Sequence, residues 1–122
     1  MRRRESRTTD LRDELSRALR AERLADALSI YELIEKRKPN EPRWAHRKGD
    51  LLRKMGRVPD AALAYERAVH LYSTRGFDSR AAAMAKLLVS IDPSKADVLA
   101  WVNSEATRRR EQHSRSLLPA AS

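Results

Sequence analysis

The stretch that decides the fold is residues 42–73, PRWAHRKGDLLRKMGRVPDAALAYERAVHLYS. On both sides of Gly56, small and apolar residues recur at spacings of three and four, which is the period of an amphipathic helix. Gly56 ends the first helical pattern. Pro59 stands near the first position of the second, where a missing backbone N–H removes no hydrogen bond. The stretch therefore predicts two helices joined by a tight turn.

The same pattern occurs again 34 residues earlier in the chain. A shift of 34 places Ala27 on Ala61 and Tyr31 on Tyr65. An alanine lets two helices approach closely, and an aromatic ring fills the space between successive helix pairs. The sequence therefore predicts two copies of one helical hairpin.

A partial third copy follows, marked by Gly76, Ala81 and Pro93. Its glycine precedes its alanine by five residues and its proline follows by twelve, spacings that also occur in the earlier copies. Residues 60–75 are therefore predicted to serve twice, closing the second copy and opening the third. Ala85 stands where the pattern has an aromatic residue.

A helix–turn–helix period of 34 residues with a repeated small-x3-aromatic signature resembles the tetratricopeptide repeat family. Gly49 stands where that family has a small residue, and Pro39 closes the first copy. The resemblance implies an all-α fold, a short α-α solenoid of about five to six antiparallel helices. It also implies a concave groove, lined by the first helix of each pair, that receives a peptide or a helix.

The expected organisation is one helical-repeat domain with a basic segment at each end. Composition agrees, because 41% hydrophobic and 35% charged residues with three glycines suit one small helical domain. The expected boundaries are a disordered arm at 1–7, a repeat domain at 8–107, and a frayed or disordered tail at 108–122. Within the domain we expect repeats at 8–41 and 42–75, a partial third to 93, and a capping helix at 94–107.

The apolar periodicity also predicts details of the core. Leu19 and Leu63 are expected to face inward, and Trp101 is expected to be core because Val98 and Val102 share its face. Ser94 is expected to cap the sixth helix, with Asp97 completing a capping box.

Several classes of function are excluded or disfavoured by composition. The chain has no cysteine, which rules out disulfides, thiol catalysis and thiolate metal sites. No apolar run reaches membrane-spanning length, and the N-terminus is too charged for a signal peptide. We therefore expect a cytoplasmic protein.

The strongest candidate for catalysis is weak. His46 and Asp50 stand four residues apart on one helix and would suit a metal site or an acid–base pair, but a surface ion pair is the favoured interpretation. His70 and His113 have no partners at ligand spacing. No phosphate loop or nucleophile motif is present. The sequence predicts no enzyme, no metal site and no cofactor.

Charge is the main functional signal. Lysines and arginines number 26 against 17 acidic residues, a net charge of +9. Arg43 and Arg47 share a helix face and, with Arg12 on the preceding first helix, are expected to converge. Trp44 is assigned evenly to the core or to the edge of the groove. The candidate groove comprises Arg12, Arg43, Trp44, His46, Arg47, Asp50, Arg53 and Lys54.

The leading hypothesis is a protein–protein adaptor that binds an acidic peptide or a partner protein in this groove. One alternative is nucleic-acid binding through arginine-rich arms. These arms comprise Arg2, Arg3, Arg4, Arg108, Arg109 and Arg110. Another alternative is a homo-oligomer formed through the solenoid ends.

A second, narrower resemblance concerns residues 76–98, GFDSRAAAMAKLLVSIDPSKADV. This run resembles the helical repeat upstream of regulatory domains in bacterial multidomain signalling proteins. It implies a regulatory adaptor in bacterial signalling or assembly.

Overall fold

The computed structural model of the chain describes residues 3–117, with side chains from Asp10 onward. The described residues form helices with no strand, which confirms the predicted all-α fold. A single 3-10 turn, Pro93–Lys95, precedes the last helix. The helices are α1 (Arg3–Arg20), α2 (Leu24–Arg37), α3 (Pro42–Lys54), α4 (Val58–Thr74), α5 (Asp78–Ile91) and α6 (Ala96–Leu117).

Each helix packs on its neighbours along the chain, and α4 also contacts α6. The contact between α3 and α4 is the most extensive. The alanines that mark the three copies, Ala27, Ala61 and Ala81, are fully buried, and the tyrosines at 31 and 65 are buried beside them. Close helix approach at these alanines explains why small residues recur there.

Three of the helix ends share one turn geometry. After α1, α3 and α4, one residue adopts a positive φ, and the next residue donates its N–H to the carbonyl five positions back. This is the Schellman arrangement, which normally places glycine at the positive-φ position. The positive-φ residues are Glu22 (56°), Gly56 (77°) and Gly76 (80°), and the following donors are Arg23, Arg57 and Phe77.

The ends of α2 and α5 share a different geometry. Lys38 and Asp92 leave the helix and donate their N–H groups to the carbonyls of Ile34 and Leu88, four positions back. A proline follows each of them, and proline disfavours a helical conformation in the residue before it. The end of α4 therefore has the geometry of the ends of α1 and α3. Those two are the first helices of their pairs, whereas α4 is the second helix of its pair.

Two expected core leucines are exposed. Leu63 is 65% exposed because it lies two residues from both Ala61 and Tyr65, about 200° round the helix from each. Leu19 is 38% exposed and lines a depression between α1 and α3. Trp101 is half-buried and packs at a tilt against the exposed His70, with ring centroids 4.7 Å apart.

The structure also describes the two ends of the helical region and the turn before the last helix, while the expected domain boundaries stay a prediction. Asp92, and not Ser94, is the capping side chain before the last helix: its Oδ1 accepts hydrogen bonds from both the N–H and the hydroxyl of Ser94. The first helix begins at Arg3, inside the segment expected to be a disordered arm. The last helix continues to Leu117, inside the segment expected to be a frayed or disordered tail.

Within residues 3–117, none of the helices combines the length and apolar character that a bilayer span requires.

Candidate functional site

A groove runs between α3 and α5, with α4 beneath it. Its volume is about 640 Å³, within the usual range for ligand pockets. We refer to it as the α3–α5 groove. Its lining residues are Arg43, His46, Arg47 and Asp50 from α3, Tyr72 from α4, and Arg80, Ala83, Met84 and Leu87 from α5.

A smaller depression of about 200 Å³ lies between α1 and α3. Arg47 and Asp50 line both the depression and the α3–α5 groove, so the two adjoin. Lys54 also lines the depression, together with Leu19 of α1. One side of the protein therefore presents α1, α3 and α5 around two adjoining depressions.

Trp44 is the centre of a cluster of cations. The indole is 2% exposed, and its Nε1–H donates to Glu41 Oε2 at 2.7 Å. The guanidinium carbons of Arg12, Arg43 and Arg47 lie 5.4, 4.9 and 5.3 Å from the ring centroid, distances at which a cation is attracted to the ring. The tryptophan is buried, and the three arginines converge on it beside the groove.

This arginine cluster is only partly neutralised. Glu41 is its nearest carboxylate, with Oε2 3.5 Å from Arg43 Nη2. The hydrogen bond from Trp44, with a smaller contribution from the charge of Arg43, lowers the pKa of Glu41, so this carboxylate stays ionised. Among the side chains described, no carboxylate oxygen lies within 4 Å of Arg12 or Arg47. The cluster therefore has positive charge available for an outside anion.

Two hydrogen bonds join α3 to α4 beside the groove, and one longer polar contact lies within α3. The Tyr65 hydroxyl donates to Asp50 Oδ1 at 2.6 Å, and His46 Nε2 lies 3.6 Å from Asp50 Oδ2. His46 Nδ1 lies 3.1 Å from the Tyr72 hydroxyl. Burial, together with the bond to Asp50, raises the pKa of Tyr65 to about 12, so the hydroxyl remains a donor at neutral pH.

His46 and Asp50 are thus held by two tyrosines of α4. The imidazole also packs edge-on against both of these rings. Within the described part of the chain, no group of three or more His, Cys, Asp or Glu side chains is arranged to hold a metal ion. The contacts of His46 and Asp50 with these two tyrosines therefore hold α3 against α4.

The second wall of the groove comes from α5 and was not predicted. Arg80, Ala83 and Leu87 recur at spacings of three and four, so they share one face of the helix. That spacing is the signal in the sequence that indicates this wall. Met84 is buried and Leu87 half-buried, which gives the groove apolar surface on α5, opposite Arg43 and Arg47 of α3.

The remaining predicted residues lie apart from the groove. Arg53 is exposed on α3 near the Tyr65 hydroxyl. In the tail, Arg109 forms an ion pair with Asp78 at the start of α5, and Arg108 pairs with Glu105. Arg110 donates to the Thr107 hydroxyl. The predicted positions at 2, 3 and 4 lie outside the residues whose side chains are described.

Comparison with known proteins finds no matching protein-family model and no significantly similar curated protein.

Proposed function

We propose that the chain is a non-enzymatic scaffold of the tetratricopeptide type that binds an acidic segment of a partner protein in the α3–α5 groove. The observation that supports this most directly is the composition of the groove. Arg43, Arg47 and Arg80 line it together with an apolar wall. Arg47 and Arg80 have no carboxylate within 4 Å among the described side chains.

Charge complementarity is the reason for choosing an acidic partner. Guanidinium groups form charge-assisted, often bidentate hydrogen bonds with carboxylates, and these are the strong members of their class. Stacking on Trp44 holds three guanidiniums near one another before any partner arrives, which reduces the entropy lost on binding. The net charge of +9 would also speed the encounter with an acidic segment.

The nucleic-acid alternative has less support. Arg108 and Arg109, two of its expected phosphate contacts, are already paired with carboxylates. The second resemblance supports a role in bacterial signalling or assembly, and from the composition we propose that the scaffold is cytoplasmic. Self-association through the solenoid ends is a separate outcome that sedimentation would detect.

The two tryptophans allow a direct test. A uniformly ¹⁵N-labelled sample has two indole N–H resonances, one from Trp44 beside the groove and one from Trp101 against α4, and Trp101→Phe assigns them. Titration with a fluorescein-labelled twelve-residue peptide rich in glutamate should shift the Trp44 resonance and leave that of Trp101 in place. A twelve-residue peptide with glutamine at each glutamate should shift neither.

Charge reversal then tests whether the groove itself binds. Arg43→Glu with Arg47→Glu should weaken peptide binding by tenfold or more, because both cations line the groove. The matched control, Arg37→Glu with Lys38→Glu, reverses two exposed charges at the end of α2. Equal losses in the two double variants would mean nonspecific electrostatic attraction and would reject the proposal, as would tighter binding of a DNA oligonucleotide through the tail.

A further inference from the structure

We propose that the α3–α5 groove binds a two-part segment: side-chain carboxylates at the end where α3 and α5 begin, and a bulky apolar side chain about three residues away. The occupant we commit to is an internal, extended acidic segment of a partner protein. This inference rests on the proposed function and adds a second recognised group and its spacing from the first.

The direction of the helices defines the two ends of the groove. His46 contacts Tyr72 while Asp50 contacts Tyr65, so α3 and α4 are antiparallel. In the last turn of α4, Tyr72 packs on Phe77, which directly precedes α5. Lys95, which follows α5, reaches back to Glu66 in the middle of α4, at 2.9 Å. Since α4 is antiparallel to both, α3 and α5 run parallel and begin at the same end.

That shared beginning is strongly cationic. Arg43 and Arg80 lie in the first turns of their helices, and Arg47 follows one turn further along α3. The N-terminal ends of two parallel helices add partial positive charge from the backbone, which favours an anion over the first turn. A carboxylate is therefore held best at this end of the groove.

The opposite end has a different chemistry. Asp50 lies seven residues after Arg43, and Leu87 lies seven residues after Arg80. The Asp50 carboxylate repels an acidic group, whereas Leu87 with Met84 offers apolar surface. Seven helical residues rise about 10.5 Å, the length of about three residues in an extended chain. An acidic residue and an apolar residue three positions apart would reach both ends together.

The test compares labelled ten-residue peptides in which all other positions are serine or glycine. The reference peptide has two adjacent glutamates and a phenylalanine three residues beyond them. Its dissociation constant, from fluorescence anisotropy, should be at least tenfold lower than that of the peptide with serine in place of phenylalanine. Peptides with the phenylalanine one or six residues away should bind at least threefold more weakly than the reference.

Variants of the protein locate the apolar contact. Ala83 is exposed on the groove wall, so Ala83→Gln fills apolar space without altering the core. This variant should bind the phenylalanine peptide at least threefold more weakly than the parent protein does. Its affinity for the serine peptide should be unchanged. The control Ser90→Gln, at an exposed position of the same helix outside the groove lining, should change neither.

The outcomes separate this inference from the proposed function. Equal affinities for the phenylalanine and serine peptides, with the Trp44 resonance still shifting, would overturn the two-part segment and leave the acidic groove standing. Absence of any shift at Trp44 would overturn both. Binding more than tenfold tighter when phosphoserine replaces glutamate would reject a carboxylate segment in favour of a phosphorylated one.

Discussion

The ring of Tyr65 occupies the space that a side chain on Gly49 would need. A Cβ atom on Gly49 would lie 2.6 Å from both Cδ1 and Cε1 of that ring. The ring has no room to retreat, because Tyr65 is fully buried and its hydroxyl is bonded to Asp50, the residue after Gly49. The closest approach of α3 to α4 thus depends on the absence of one methyl group.

Gly49→Ala is therefore expected to lower the free energy of unfolding. In an ordinary helix interior the same change raises stability by about 0.5–1 kcal/mol. Overpacking a tight contact costs about 1–3 kcal/mol, so we expect a net loss of about 1–2 kcal/mol. Urea unfolding followed by circular dichroism measures the difference. In a Tyr65→Leu background the alanine should cost less than 0.5 kcal/mol, since the contacts are coupled; a full cost there would contradict the clash.

Glu22→Gly is expected to stabilise the protein. Glu22 holds the positive φ that glycine holds at the two equivalent turns, and a left-handed conformation costs an ordinary residue about 1–2 kcal/mol. Part of that gain is offset by the greater freedom of glycine in the unfolded chain, which leaves about 0.5–1 kcal/mol. Thermal unfolding followed by circular dichroism measures the change. The control, Glu32→Gly at an exposed position inside α2, should lower the free energy of unfolding by about 1 kcal/mol in the same measurement.

Glu35→Gln tests an ion-pair network that joins three helices. Glu35 is 13% exposed, with Oε1 2.5 Å from Lys48 Nζ on α3 and Oε2 3.5 Å from Arg67 Nε on α4. Because the amide leaves two cations without their carboxylate, we expect a loss of about 1–2 kcal/mol in chemical denaturation. Glu32→Gln, on an exposed face of α2, should change stability by less than about 0.5 kcal/mol. Similar effects at both positions would show that Glu35 contributes only surface charge.

The buried Tyr65 hydroxyl predicts loss of stability at alkaline pH. Its pKa is about 12 in the folded protein, above the value of about 10 for a free tyrosine. The folded state therefore retains a proton that the unfolded state loses, and stability falls as pH rises from about 10 to 12. Tyr65→Phe should lose less stability than the parent protein over that window, since the other titrating groups are common to both. Parallel pH profiles would mean that the hydroxyl ionises freely.

The sequence was enough to predict the helices because the same signals act locally. Gly56 and Gly76 end helices, Pro39 and Pro93 begin new segments, and the apolar period places most of the core. Glu22 shows where local signals fail, because nothing in its residue type indicates a left-handed turn. Leu117 shows another limit: the last turns of α6 are polar, so no apolar period in the sequence indicates where this helix ends.

The candidate site was predictable on one wall only. Arg43 and Arg47 converge because they are four residues apart on one helix, and this spacing can be read from the sequence. Arg80 and Leu87 face these arginines because the connections before and after α4 set the orientation of α3 and α5. No single segment of the sequence contains this long-range relation. The hydrogen bond between Tyr65 and Asp50 is equally a product of packing.

The double role of α4 limits how this molecule can be divided. In an ordinary repeat array, a cut between pairs leaves complete units on both sides. Here any cut that keeps α3 with its partner takes that partner away from α5, because one helix completes both hairpins. Loss of a single repeat would therefore leave an unmatched helix face, and we expect the helices to unfold together as one cooperative unit.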